Sequence, residues 1–153
     1  VEKNGRLCRC GRHGCLETRV ASHPIARHLR QVCSPETTPL LWAAVGGRPE
    51  NITVHNLDTL AALDEPAMWE ALDADIEVLA DVVGSCLTMF TPDNLILYGY
   101  MFKLPHFREK FLAACKRYDP AYDENYIRVS ELAEKLEYIG PLAVVTNELF
   151  YQG

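Results

Sequence analysis

Three thiols and a carboxylate carry the chemistry this sequence offers. Cys8, Cys10 and Cys15 fall in one short loop, Gly11 and Gly14 lie between the second and third thiol, and Glu17 follows two positions after the last. Thiolates presented together by a tight glycine turn are what a four-coordinate zinc site asks for. The loop supplies three ligands where a closed structural site needs four. A disulfide framework is the alternative, but these spacings suit a metal better, and the chain is neither small nor loop-rich. Glu17 taken alone reads as a first-turn carboxylate stabilised by the helix dipole. Of the other thiols, Cys33 is isolated, while Cys86 and Cys115 sit in apolar helical patterns and are expected as buried small hydrophobes.

The chain that must hold this loop is long enough for one domain with a real core. A hydrophobic content of 48% and a charged content of 24% argue against disorder. The net charge of −6 excludes a chain that grips a phosphate backbone by itself, since that needs clustered Lys and Arg. No apolar run approaches bilayer-spanning length, and the first residues carry no signal-peptide core, so a cytoplasmic location and no membrane partner are expected.

Three stretches follow: the cysteine loop (1–17), a helical segment (18–63) and an α/β layer (64–153). Asn4-Gly5 reads as a hairpin turn into the loop. Leu16 to Val32 predicts a helix kinked or split at Pro24, with Ser22 capping the second piece. His23 and His28 on it are expected to face solvent or cap, in preference to ligating metal. Leu40 to Val45 predicts a helix stopped by Gly46-Gly47, a pair without the context of a phosphate loop. Asn56 reads as the cap of a helix from Leu57 to Leu63.

The strongest pattern is Pro66 to Phe90, where Trp69, Leu72, Ile76, Leu79, Val83, Leu87 and Phe90 repeat at spacings of three and four. Asp64 is the expected N-cap, and the small Gly84 and Ser85 predict close packing of a neighbour. Asn94 to Gly99 predicts a strand buried on both faces. A helix from Phe107 to Tyr118, a strand from Tyr126 to Val129 and a last helix from Gly140 to Phe150 complete an α/β layer architecture.

The run Cys8-x-Cys10-Gly11-x-x-Gly14-Cys15-Leu16-Glu17 resembles the signature of the ROK family, which groups bacterial sugar kinases with sugar-responsive transcriptional repressors. The Asn51-Ile-Thr-Val run, the long helix, Phe90-Thr-Pro-Asp-Asn-Leu-Ile-Leu-Tyr-Gly99 and Ile139-Gly140-Pro-Leu follow the family's order of elements. The resemblance implies that nearly the whole chain aligns with the C-terminal half of such a protein, part of an actin-like, ribonuclease-H-like ATPase fold of two α/β lobes. It implies a zinc held by Cys8, Cys10 and Cys15, plus a His roughly ten residues before the first thiol, a position just before Val1. His13 can replace that ligand only by bending the turn. It also implies that Glu17 accepts hydrogen bonds from sugar hydroxyls.

Two departures bear on the branch of the family. Where the kinases carry a glycine pair or triplet against the nucleotide, this sequence has Tyr98-Gly99-Tyr100-Met101-Phe102, and Pro141 and Leu142 replace small residues further on. Both favour the sugar-sensing half of a regulator, with a sugar or sugar-phosphate effector, a homo-oligomer, and DNA contacts only through an N-terminal module outside this chain. The alternatives are a fragment of an ATP-dependent sugar kinase, and an unrelated zinc-stabilised α/β domain used for protein contacts.

Overall fold

A computed structural model describes residues 1–63 and 65–130 of the chain. The predicted helix from Gly140 to Phe150, with Pro141 and Leu142, lies outside those residues, as does Asp64. Within them the order is α1 (Glu17–Val20), α2 (Ser22–Val32), α3 (Pro39–Ala44), α4 (Leu57–Ala61), α5 (Pro66–Phe90), β1 (Leu95–Leu97), α6 (Pro105–Cys115) and β2 (Ile127–Val129). The result is a helix-rich α/β arrangement. Among the described residues, no helix is long and apolar enough to cross a membrane.

The spine is α5, which starts at Pro66 and ends at Phe90 as its periodicity predicts. Proline at the first helical position costs nothing, because its missing N–H would have no intrahelical partner there. The cap position belongs to Glu65, whose carboxylate works elsewhere: its Oε2 accepts the N–H of Leu41 at 2.8 Å, satisfying a free donor in the first turn of α3. Glu65 is buried, so this bond replaces water that cannot reach either group. At the far end of α3, Gly46 N–H returns to Ala43 O at 3.0 Å and Gly47 N–H to Trp42 O at 2.9 Å, closing the helix as its sequence predicts. Asn56 holds the cap position of α4, but its side chain turns back, accepting from Thr53 N–H at 2.8 Å and donating to Asn51 O at 3.0 Å.

One core joins these elements. Ile25 and Leu29 of α2, Leu41 of α3, Leu57 and Leu60 of α4, and Met68, Trp69, Leu72 and Ile76 of α5 are buried in it, with Phe107, Phe111 and Cys115 of α6. β1 and β2 pair in parallel, Leu95 opposite Ile127 and Leu97 opposite Val129, with α6 between them in the chain as a parallel pair requires.

Several expectations change. The break between α1 and α2 falls at Ala21, which is extended at ψ 163, and not at Pro24. Pro24 lies in the first turn of α2, where its lack of an N–H leaves no bond unmade. Ser22 is therefore inside the helix, and Ala21 holds the cap position without a side-chain bond. In the long stripe Phe90 is exposed, and Cys86, expected buried, is exposed too. Cys86 precedes Leu87 and so points about 100° away from it around the helix. Ile96 is 67% exposed, whereas Leu97 is buried: alternate strand residues face opposite ways, and only one face of β1 is covered among the described residues.

The expected close approach at Gly84 is present. A Cβ there would stand 2.5 Å from the ring of Tyr118, just beyond α6, and that tyrosine donates its hydroxyl to Asp81 at 2.7 Å. Lys110 of α6 pairs with Asp73, and Arg117, just beyond α6, pairs with Glu77, both on α5. Gly84→Ala gains helix propensity but must displace the ring, for a net loss of about 1–2 kcal/mol. Chemical denaturation checks this, and Tyr118→Ala in the same chain should recover most of the loss. Equal losses in both backgrounds would assign the cost to something other than the ring.

Candidate functional site

The cysteine loop is a small hairpin. Leu7 and His13 form an antiparallel bridge, Cys8 N–H donates to Arg12 O at 2.7 Å, and Gly11 N–H donates to Cys8 O at 3.0 Å. The turn before it spans Glu2 to Gly5, with Gly5 N–H on Glu2 O at 3.1 Å. Gly14 closes the loop at φ 65, and a Cβ there would lie 1.6 Å from the carbonyl oxygen of Glu2. No side chain fits. The two sides of this loop meet backbone to backbone, with Cys8 buried, Cys15 partly so and Cys10 exposed.

The sulfurs of Cys8, Cys10 and Cys15 lie within 4.8 Å of one another, with Cys10 and Cys15 3.5 Å apart. A tetrahedral ion with metal–sulfur bonds of about 2.3 Å sets its sulfurs about 3.8 Å apart, so this spacing suits a metal with little movement. Among the described residues it is the one such cluster of thiols, imidazoles and carboxylates. His13 is not part of it. Its Nδ1 bonds the carbonyl of Gly5 at 3.0 Å.

The thiols are not equivalent. The adjacent Arg12 guanidinium and backbone, with the other two thiols, hold Cys10 down at about 6. The backbone N–H of Cys10 draws Cys8 down, but burial and hydrogen bonds to Cys10, Glu17 and Cys15 outweigh it and push Cys8 up to about 11.

Glu17 begins α1 and is gripped on both oxygens: Arg9 donates to Oε1 at 3.0 Å and the Cys8 thiol to Oε2 at 3.4 Å. Arg9 first, then Cys8, holds its carboxyl below the ordinary value. Glu17 stands on the wall of an open cleft of about 710 Å³, shared with Arg6, Arg9, Ser22, His23 and Arg27. The carboxylate is about half exposed, so it is available to a ligand.

A second, polar cleft of about 350 Å³ lies behind it, between the loop and α2. On its wall is a group the sequence reading passed over. Asp75 of α5 is buried and accepts from Arg19 Nε at 2.7 Å and from His28 Nδ1 at 3.0 Å. Arg19 belongs to the same four-residue helix as Glu17, so Asp75 ties that helix to the spine. His28, expected as a solvent-facing or capping residue, is instead a ligand of this carboxylate. A signal was present: Asp75 interrupts the apolar stripe between Leu72 and Ile76. Arg6 and Arg27, which line both clefts, also went unremarked. Burial, and then the like charge of Arg6, draws the Arg27 guanidinium down, so the two cations feel each other.

Two outcomes follow. In metal-free protein, limiting iodoacetamide should modify Cys10 first and Cys8 last among the three loop thiols. Cys10 labelling should climb as pH rises through about 6, because thiolate is the reactive form. Peptide mass spectrometry reads this, and uniform labelling would contradict the assignment. Asp75→Ala leaves Arg19 and His28 facing each other, and should cost about 2–3 kcal/mol in chemical denaturation, below the range for a fully buried pair because both partners reach solvent.

Comparisons with known proteins agree with the geometry. The ROK family pattern matches residues 1–147. A glucokinase from Thermotoga maritima is 29% identical over 99 residues, covering 65% of this chain and 31% of that protein. A ROK family glucokinase from Streptomyces griseus, solved with glucose and AMPPNP, superposes with a TM-score of 0.72 at 18% identity, covering 94% of this chain and 48% of that one. The chain thus spans about a third of the curated relative and about half of the solved one, and shares the fold of that part. The chain belongs to the ROK family.

Proposed function

We propose that this chain is the sugar-binding, zinc-carrying part of a ROK protein. The observation that carries the reading is the seat of Glu17: it opens α1 directly after the thiol cluster, is held by Arg9 and Cys8, and faces the larger cleft. An ionised carboxylate is an acceptor with two oxygens, suited to adjacent sugar hydroxyls, and the exposed Arg9 can yield its place to them. Cys8, Cys10 and Cys15 would hold the zinc, with a fourth ligand from a His preceding Val1 in the whole protein. The metal would then fix the loop that presents Glu17.

Within the family, the reading we favour is effector sensing by a transcriptional regulator. A lone glycine, Gly99, stands where the kinases place a glycine pair or triplet, with Tyr98 beside it, about half exposed. Met101 is buried, and Phe102 packs edge-on against Phe107 and Phe111 with ring centroids 5.4 Å apart in both pairs. The turn is braced from the core side and lacks the small residues that let a backbone approach a nucleotide. In the whole protein a sugar would shift the balance between lobe arrangements of a cytoplasmic homo-oligomer, and a DNA-binding module elsewhere would read the change. The second reading, an ATP-dependent sugar kinase, is favoured by the likeness to two glucokinases.

Glu17→Gln in the zinc-loaded whole protein should weaken sugar binding by about ten- to a hundredfold, the worth of charged hydrogen bonds, without changing metal content. Calorimetric titration with a panel of hexoses measures this, and unchanged affinity for the sugar that binds would remove Glu17 from the site. ATP binding at millimolar concentration with turnover of that sugar would decide for the kinase.

A further inference from the structure

The two clefts meet at a pair of arginines that the sugar reading leaves idle. Arg6, on the hairpin, and Arg27, on α2, line both cavities. Of the other basic groups on these walls, Arg9 is bound to Glu17, and Arg19 and His28 to Asp75, while His23 has no carboxylate partner among the described residues. Neither Arg6 nor Arg27 makes a side-chain hydrogen bond or ion pair among the described residues. The remaining acid of the polar cleft, Glu2, pairs with neither of them. Both guanidiniums line the same two clefts, and the charge of Arg6 opposes that of Arg27, so an anion in the cleft would be favoured by both. Each offers a rigid fork of donors matched to phosphate oxygens.

We propose that Arg6 and Arg27 bind a phosphate group. Since Arg27 shares the wall of the larger cleft with Glu17, a phosphorylated sugar held by its hydroxyls at Glu17 can reach the pair; this source of the phosphate rests on the sugar reading above, whereas the anion site itself does not. Free inorganic phosphate is the other source of the same chemistry. The geometry divides recognition in two. Glu17 reads hydroxyls, and the arginines read charge.

The test compares inorganic phosphate, glucose and glucose 6-phosphate by calorimetric titration of zinc-loaded whole protein, as wild type and as Arg27→Gln, Arg6→Gln and Glu17→Gln. The expected result is that glucose 6-phosphate binds about tenfold or more tightly than glucose, an advantage lost in either arginine variant and weakened by salt. Inorganic phosphate should compete with the phosphorylated sugar, and Glu17→Gln should weaken both sugars while leaving phosphate affinity unchanged. Arg27→Lys, which keeps the charge and the packing, should retain part of the advantage and controls for misfolding of Arg27→Gln. Phosphate binding that needs both arginines, with no effect of Glu17→Gln on either sugar, supports the anion site and removes the sugar reading. Absence of phosphate binding in the folded wild type, or an advantage of glucose 6-phosphate that survives both arginine substitutions, overturns the proposal even where Glu17→Gln weakens glucose.

Discussion

A buried carboxylate held by an arginine and a histidine organises this chain. Asp75 sits on the long helix where an apolar residue would ordinarily pack, and a lone charge there would be expensive. Arg19 and His28 remove that cost, and in doing so they fix the positions of α1 and α2 against the spine. A helix of four residues has no stability of its own. Its location is inherited from the tie at its C-terminal end and from the thiol loop at its N-terminal end. Glu17 lies between these two anchors.

The α6 packing and the clefts thus lie on opposite sides of α5. One side receives α6 through aromatic packing and the close approach of Tyr118 at Gly84. The other side turns polar at Asp75 and supports the clefts. The core around Phe111, Leu41 and Ile52 is dry and closed, while the site is built from groups that keep part of their surface in water. An apolar seam gives the protein a fixed frame, and polar pairs of limited strength leave the rim of the clefts less tightly held.

Much of the frame could be read from the residues. The α5 stripe and its Pro66 start named the longest helix to the residue, because a proline-initiated period of 3.6 has few other solutions. The three thiols declared their cluster through spacing alone. Harder to read was whatever depends on neighbours distant in the chain. Pro24 looks like a breaker but falls in a first turn where its defect is harmless, and the true break needed the direction of α1. Cys86 and Ile96 carry apolar side chains whose burial depends on which faces other elements cover. The cap at Glu65 and the pairing of Asp75 join residues 24 and 56 positions apart, a range over which periodicity is silent. The arginine pair has the same character: two ordinary cations share one wall only because a hairpin and a helix bring them there.

The two glycines of the thiol loop look interchangeable as a motif, yet they set different limits on how this sequence can drift. Gly11 has φ 82 with open space where a Cβ would go, so its constraint is torsional, and a residue such as Asn that tolerates the left-handed region can stand there at modest cost. Gly14 is closed to every side chain by the carbonyl of Glu2. Of the two, the second is the position that tolerates no substitution, and what fixes it is the backbone carbonyl of Glu2 and not any contact with the thiols.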